Sequence, residues 1–560
     1  MSLQIKIHID KSLNSYDFIQ SCFVPTFKET INYLFDDEIQ GDVVDREEDS
    51  ILTLCDAMSD VKYEPALPIS IDNKIGDKYS NINSFQLPKE SDLGNCEERE
   101  QLAINLTFAI LSKLGIGCFH SRIFISYKRQ ETEQLALDLY KRLTAEKLGF
   151  EVFLDTRKLD VGAEFMDDIR LTIAESDIFL LLDSSSYMDG VYTKKELYTA
   201  MYSGAGIIRV FKKDKKTPVK STSYSFESVE INNEDSNIEE ASFQELVHTI
   251  NKLRTKFFKA KLQRINEYRK LYDENLKSLW SIKQGDKLIC PMWGVPSSQR
   301  IELLEKQVNR AHRNVTSFSI LYDHWSVPKF HNEHIKWVVD KKNIQIETLQ
   351  STNMIESKKC PIVFLSASMP EDRNYDFAKV YNIVISLVEE VINCKGTLVF
   401  GGHPTITPII ANMMNLHKNI YGGSDYPNIY LYQSKFFGSD ERPLENLEFP
   451  AGRIKNIDVC NEKLSKNESC MKSLALLREK MLDKTHHFTL GVFIGGIVKD
   501  DNTCGVWQEF ELFCKNHPEA KRVAFTNTGT DISKLEEIGK RVDLHENKPN
   551  NTLCIDVWNN

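Results

Sequence analysis

The chain has 560 residues, more than one hydrophobic core usually serves, so we expect about two to four domains. Its 41% hydrophobic and 27% charged residues are typical of a globular protein, and no apolar run reaches the ~20 residues that span a bilayer. The formal net charge of −11 argues against nucleic acids or anionic membranes as partners, because a net-negative surface repels polyanions.

The first residues alternate like a β-strand, from Ile5 to Ile9, and lack the basic segment that opens a secretory signal. The 12 cysteines are scattered singly with no Cys-x-x-Cys pair, which favours reduced thiols over disulfides or zinc ligands. These two features predict a cytoplasmic protein. The remainder of residues 1–118 mixes helix signals with a turn-rich segment at 65–73, and we interpret it as an N-terminal accessory region.

Residues 119–215 alternate short apolar strands with amphipathic helices. The helices have apolar residues at helical spacing, as in Leu135, Leu139 and Leu143. The predicted strands are 122–127, 151–155, 178–183 and 207–211, and the predicted helices are 131–147, a segment around 165–173 and 193–202. Continuous apolar strands of this kind imply a parallel sheet that is covered by helices on both faces.

Residues 216–355 are predicted to connect this unit to a second one. A charged and Ser/Thr-rich break at 213–240 precedes a long charged helix from about Ser242 to Leu279. Strand candidates near Leu288 and at 317–321, with a helix near 298–312, indicate a small α/β unit.

The alternation of strands and helices restarts at Pro361 and defines a unit from 356 to 560. Its predicted strands are 362–365, 397–400, 429–432, 490–494 and 522–525, and its predicted helices are 375–392 and 404–416. The predicted fold class is therefore α/β, with two doubly wound parallel-sheet domains, an N-terminal accessory region and a helical α/β connector.

Polar side chains follow the strands of the first unit, where parallel sheets place their ligand sites. Tyr127, Asp155 and Asp183 end three strands, and Glu196 lies near the start of the next helix, facing the same crevice. Spacing alone leaves alternatives open, because Glu196 also fits a solvated helix position and Asp155 a loop cap.

Four segments of the first unit resemble the TIR domain family: 122–129, 149–155, 176–184 and 187–197. The resemblance implies a flavodoxin-type sheet and places Glu196 at the position of the catalytic glutamate of NAD-cleaving members. It also implies substrate contacts for a set of five residues. These are Tyr127, Arg129, Asp155, Arg157 and Tyr192. Arg157 lies in the loop that mediates self-association in relatives, and Tyr192 stands where many relatives have tryptophan.

The chemistry of such a site needs little from the protein. Nicotinamide leaves NAD⁺ as a neutral molecule, so one carboxylate is sufficient to stabilise the oxocarbenium-like ribose and hold its hydroxyls. NAD⁺ is then the substrate, and we expect no cofactor. The His331–His334 pair has no evident third ligand, so we expect no metal site.

Two Gly-Gly turns follow strands in the second unit, and glycines let backbone N–H groups approach a phosphate. The segments 364–368, 396–403, 491–496 and 505–510 resemble the SLOG family, Rossmann-like domains that bind nucleotide-derived signals in several bacterial immune proteins. The predicted signal-binding residues are Ser366, Ser368, Arg373, Gly401, Gly402, His403, Gly495, Gly496 and Glu509. Structural turns, and a histidine packed at a helix start, remain alternatives for these positions.

Together the two resemblances predict an NAD⁺ hydrolase that acts as an immune effector. A nucleotide-derived signal binds the SLOG-like unit, and self-association through TIR units completes the active site. Two alternatives stay open: a TIR synthase of a cyclic ADP-ribose messenger, and a non-catalytic TIR scaffold.

Overall fold

The computed structural model describes most of the chain, and every structural statement below concerns those residues. The residues outside the description are 1–2, 14–15, 37, 59–64, 72–73, 76–83, 94–95, 117–120, 145–149, 155–162, 213–225, 232, 235–236, 273–280, 285–286, 312–317, 343, 348–359, 369–376, 422–424, 438–448, 460–464, 497–504, 526–527, 529–542 and 546–560. None of the described helices has the length and apolar composition of a membrane span.

The N-terminal region contains a five-stranded parallel sheet, of which only the first strand was predicted. Its elements are β1 (Leu3–Ile9), α1 (Val24–Leu34), β2 (Ile39–Val44), β3 (Leu52–Asp56), β4 (Ala66–Ile71), β5 (Phe85–Leu87) and α2 (Cys96–Lys113). The strand order is β2–β1–β3–β4–β5. The turn-rich interpretation of 65–73 is wrong for β4, which pairs with β3 and β5 although Pro68 lacks an N–H donor. Burial of Leu67 and Ile69 in the core outweighs the local turn signal.

The TIR-like unit has the same strand order, which is that of the flavodoxin type. Its elements are β6 (Ser121–Ser126), α3 (Arg129–Leu143), β7 (Phe150–Leu154), α4 (Ala163–Ala174), β8 (Ile178–Leu182), α5 (Val191–Ser203), β9 (Gly206–Lys212) and β10 (Glu227–Ile231). The sheet runs β7–β6–β8–β9–β10, all parallel. Every residue of the central strand β8 is buried, as expected for a sheet covered on both faces. The fifth strand lies beyond residue 215, within the break that the sequence showed.

A long helix and a small sheet follow the TIR-like unit. Their elements are β11 (Asn233–Glu234), β12 (Asn237–Ile238), α6 (Glu240–Tyr272), β13 (Ile282–Gln284), β14 (Lys287–Pro291), α7 (Ser298–Ala311), β15 (Ser319–Leu321), α8 (Lys329–Lys342) and β16 (Gln345–Glu347). The small sheet, β13–β14–β15–β16, confirms the predicted α/β connector. Helix α6 contacts β9 and β10 of the TIR-like unit, α1 of the N-terminal region and the SLOG-like unit.

The SLOG-like unit is a seven-stranded parallel sheet of the Rossmann type. Its elements are β17 (Ile362–Ser368), α9 (Phe377–Asn393), β18 (Thr397–Gly401), α10 (Thr407–Tyr421), β19 (Asn428–Ser434), β20 (Ile454–Ile457), α11 (Lys466–Met481), β21 (Leu490–Gly495), α12 (Gly505–Asn516), β22 (Lys521–Phe525) and β23 (Asp543–His545). The order β20–β19–β18–β17–β21–β22–β23 reverses direction beside β17. The carboxyl ends of β18, β17 and β21 therefore meet at a topological switch point, where open α/β sheets bind ligands.

Candidate functional site

The Glu196 carboxylate lies at the carboxyl end of β6, the strand next to the centre of the TIR-like sheet. Glu196 is only 7% exposed and belongs to α5, a helix that is buried over most of its length. Ser126, the last residue of β6, donates a hydrogen bond from Oγ to Glu196 Oε2 at 2.5 Å. The carboxylate is therefore held against the carboxyl end of β6, the end of the sheet at which the sequence predicted the site.

Tyr187 extends this arrangement into a short chain of hydroxyl groups. Its phenol oxygen lies 2.7 Å from Ser126 Oγ but 3.5 Å from the carbonyl oxygen of Thr193. Since a phenol has one proton to donate and the serine proton goes to Glu196, the shorter contact makes Tyr187 the donor to Ser126. Thr193 Oγ1 in turn donates to the Tyr187 carbonyl at 2.5 Å, which fixes the turn at 187–189 against α5. The sequence analysis missed Ser126, although it ends a strand of the sheet.

Glu131 anchors the loop that leads to Tyr187. Ser186 Oγ donates to Glu131 Oε1 at 2.5 Å, and Ser185 Oγ lies 3.3 Å from Oε2. Hydrogen bonds from this loop, that of the Ser186 side chain above all, lower the pKa of Glu131 to about 2. The carboxylate occupies the first turn of α3, where the helix dipole also favours a negative charge. In the sequence, the position of Glu131 at the start of a helix was the only feature that indicated it anchors this loop.

The structure brings three of the predicted substrate residues close to the Glu196 crevice. Tyr127 directly follows Ser126 and is buried, whereas Arg129 is half-buried and opens α3. Tyr192 lies on the first turn of α5 and is 47% exposed. Asp155 and Arg157 lie outside the described residues.

Lys128 and Asp183 also lie at this edge of the sheet, and the sequence did not predict their contacts. A Cβ atom at Gly190 would lie 3.2 Å from Lys128 Nζ, so this ammonium group stands beside the start of α5. Asp183, the third polar residue at a strand end, is paired with Arg209, with 2.5 Å between Oδ2 and Nη2. Its carboxylate is buried in that ion pair and braces β8 against β9.

At the SLOG-like switch point, the predicted residues of three strands lie side by side. Ser366 lies near the end of β17 and Ser368 ends it, Gly401 ends β18 and precedes Gly402, and Gly495 ends β21 beside Gly496. Gly495 has a φ of +68°, and a Cβ atom there would lie 1.9 Å from the Ser368 carbonyl oxygen. Only glycine fits this position, because the end of β21 lies directly against the backbone of β17 there.

Glu509 contacts the same edge from α12. Ser366 Oγ donates to Glu509 Oε2 at 2.5 Å, and Arg478 Nε lies 3.5 Å from Oε1. Burial raises the pKa of Glu509, although the Arg478 guanidinium opposes that shift. Arg478 also donates to Gln508 Oε1 at 2.6 Å. The sequence analysis missed Arg478 because it lies on α11, far along the chain from its partners.

His403 has a structural role at the start of α10. Its Nδ1 accepts a hydrogen bond from the Thr405 N–H at 3.3 Å, and its carbonyl accepts one from Thr407 Oγ1 at 2.7 Å. The ring proton is then on Nε2. Arg373 lies outside the described residues.

Among the described residues, neither edge has the ligand set of a metal centre. The structure describes no group of three or more His, Cys, Asp or Glu side chains with that arrangement. His331, half of the pair noted in the sequence, has its Nε2 2.6 Å from the Pro296 carbonyl oxygen instead.

Comparison with known families covers the whole Glu196 edge and, at the second edge, β18, β21 and Glu509 but not β17. The family model of the TIR domain matches residues 123–247. The family model of the SLOG cluster3 family matches residues 373–553. No curated protein matches the chain.

Proposed function

Since the chain joins a TIR domain to a C-terminal SLOG domain, we propose that it is an NAD⁺ nucleosidase whose activity is controlled by a nucleotide-derived signal. The observation that carries the proposal is the buried Glu196 carboxylate at the carboxyl end of β6, oriented by Ser126 and Tyr187. A solvated helix glutamate, the alternative that the sequence left open, would not be buried with such a donor chain.

In the proposed reaction, the bond between ribose C1′ and the nicotinamide nitrogen breaks, and its electron pair leaves with neutral nicotinamide. Glu196 stabilises the positive charge that develops on the ribose. Its carboxylate accepts hydrogen bonds from the ribose hydroxyls, which take the place of the Ser126 hydroxyl that donates to it in the structure. Water adds to C1′ and loses a proton to solvent. The products are nicotinamide, ADP-ribose and one proton.

Cationic and aromatic groups around Glu196 suit the rest of NAD⁺. Lys128 and Arg129 would neutralise the diphosphate, because both are close to helix N-termini that also attract anions. Tyr127 and the exposed Tyr192 would contact the rings of the substrate. Asp155 and Arg157 are proposed substrate contacts on the family resemblance alone. No cofactor is required.

The signal site is proposed at the switch point of the SLOG domain. Gly401, Gly402 and Gly496 let a phosphate approach the backbone without meeting a side chain, and the start of α10 presents the positive end of a helix dipole. Ser366, Ser368, Gly495 and Glu509 line the same edge. His403 and Arg373 are further proposed contacts, and we add Arg478 as a cation within reach.

In the cell, we propose that signal binding promotes self-association of TIR domains in the cytoplasm and that depletion of NAD⁺ serves antiviral defence by abortive infection. The cyclase alternative involves cleavage of the same bond and differs only in the nucleophile that attacks C1′. The scaffold alternative assigns no role to the Glu196 donor chain.

The test is nicotinamide release from NAD⁺ by the purified full chain, at several protein concentrations. We expect release to grow faster than linearly with protein and to fall at least about a hundredfold in Glu196→Gln. Glu133→Gln, on the exposed face of α3, is the matched control and should behave as wild type. Equal release by Glu196→Gln and wild type would contradict the proposal. Mass spectrometry of the product separates linear from cyclic ADP-ribose.

A further inference from the structure

Tyr381 of the SLOG domain caps the C-terminus of α5, the helix that carries Glu196. Its phenol donates a hydrogen bond to the Tyr202 carbonyl oxygen at 2.8 Å. The last four carbonyl groups of a helix accept no hydrogen bond from N–H groups of the same helix, so the Tyr381 hydroxyl supplies a donor to one of them. Tyr381 is 1% exposed, and the contact is therefore shielded from water.

The Tyr381 ring also packs directly on the backbone at the end of α5. Gly204 ends this helix with a φ of +67°, and a Cβ atom there would lie 2.8 Å from two ring carbons of Tyr381. No flexible side chain separates the two domains at this point. A displacement of Tyr381 must therefore displace the end of α5.

Two helices of the SLOG domain that contact α5 follow strands of the proposed signal edge. Helix α9, which carries Tyr381, follows the β17 strand of Ser366 and Ser368. Helix α10 follows the Gly401–Gly402 turn and also packs on α5. The strands β17 and β18 of the signal edge thus immediately precede, in the order of elements, the two SLOG helices that contact the Glu196 helix.

On its other side, α9 is held by α6. Asn382 Nδ2 donates to the Ala260 carbonyl at 2.9 Å, and Arg264 Nη1 donates to Ser386 Oγ at 3.2 Å. Helix α9 is thus fixed between α6 and α5, and it is suited to transmit a shift rather than absorb it.

We propose that Tyr381 is a positioning residue through which the SLOG domain holds α5, and with it Glu196, in a resting position. This inference rests on the proposed function. In the position described, Glu196 is buried and bound to Ser126, whereas NAD⁺ cleavage requires it to meet a ribose. Signal binding at β17 and β18 shifts α9 and α10, weakens the Tyr381 cap and lets α5 move. About 9 Å of rigid helix separates Glu196 from Tyr202, so a shift at one end reaches the other.

The first test is Tyr381→Phe in the full chain, which keeps the ring and removes only the hydroxyl. Without added signal, we expect kcat for NAD⁺ cleavage to rise about fivefold, the change that corresponds to one hydrogen bond of about 1 kcal/mol. KM should stay within about twofold. Tyr322→Phe is the matched control, because this buried phenol bonds to Asn332 Oδ1 at 3.1 Å within the connector.

A purely structural cap gives a different result. Tyr381→Phe would then accelerate amide hydrogen exchange in α5 but leave kcat equal to that of Tyr322→Phe, and the proposal would be wrong. A fall in kcat would also overturn it, because Tyr381 would then support the active position.

A second experiment separates this inference from the proposed function. If no protein releases nicotinamide, the proposed function fails, and hydrogen exchange alone tests the coupling. Ser366→Ala removes the hydrogen bond to Glu509 and so perturbs the signal edge. We expect it to change exchange in α5, and we expect Tyr381→Phe to abolish that change in the double variant. An absent effect, or one that persists unchanged in the double variant, overturns the coupling.

Discussion

Arg264 of α6 forms a two-pronged ion pair with Asp323 of the connector, with 2.9 Å from Nε to Oδ2 and 3.1 Å from Nη2 to Oδ1. Both side chains are buried, and Arg264 Nη2 also lies 3.6 Å from Glu389 Oε2 in the SLOG domain. One guanidinium group therefore joins the long helix, the connector and the SLOG domain. Because buried charges are costly unless paired, this network requires all three parts to be in place.

Arg264→Leu is expected to destabilise the protein by about 3–5 kcal/mol, because it leaves Asp323 and Glu389 buried without their cation. Urea unfolding followed by fluorescence measures the change. Arg46→Leu, at an exposed ion pair with Glu48, is the control and should change stability by less than about 1 kcal/mol. Equal effects of the two substitutions would show that the buried network contributes no more to stability than an exposed ion pair does.

Glu389 is expected to make stability depend on pH near neutrality. Burial raises the pKa of Glu389 to about 7, although Arg264 and the Trp325 indole N–H, 2.6 Å away, oppose that shift. A carboxyl group with a raised pKa in the folded state is protonated more readily there than in the unfolded chain. The preference of the folded state for the protonated Glu389 therefore adds fully to the free energy of unfolding below about pH 4.5, and this addition is lost as pH rises through about 7.

Glu389→Gln should remove this dependence, because the amide cannot ionise. Between about pH 5 and about pH 8, which lie on either side of the raised pKa, the free energy of unfolding of the wild type should fall more than that of the variant. We expect the difference between the two proteins to reach about 3 kcal/mol. Urea titrations at several pH values measure the difference. Parallel pH profiles for the two proteins would mean that Glu389 is ionised throughout this range.

Gly495→Ala is expected to damage the signal edge. A methyl group there would meet the Ser368 carbonyl oxygen at 1.9 Å on a residue with positive φ, so β21 must separate from β17. We expect a loss of about 2 kcal/mol or more in stability, measured by urea unfolding. Gly452→Ala is the matched control, because nothing lies within 4 Å of its Cβ position. A stability change below about 0.5 kcal/mol, which is the usual range for neutral surface substitutions, would contradict the prediction.

Much of the architecture could be predicted from local pattern. The strands and helices of the TIR and SLOG domains follow the spacing of apolar residues, which depends only on neighbours a few positions apart. The N-terminal sheet escaped prediction in part because β4 contains Pro68 and lies within the turn-rich segment 65–73. Strand β10 escaped because a polar, charged segment precedes it and hides a short buried pattern at Val229 and Ile231.

The sequence by itself determined the two α/β domains, their glycine turns and the placement of Glu196 near a helix start after a strand. Only the tertiary structure decided what surrounds that carboxylate. Ser126 reaches Glu196 from β6, and Tyr187 reaches Ser126 because the order β7–β6–β8 places β6 beside the strand that precedes the Tyr187 turn. The pairing of Arg478 with Glu509, and the Tyr381 cap on α5, also depend on how helices pack on sheets. Periodicity is a local property of the chain, whereas such contacts join residues that are distant in sequence and become neighbours only when the sheets and helices assemble.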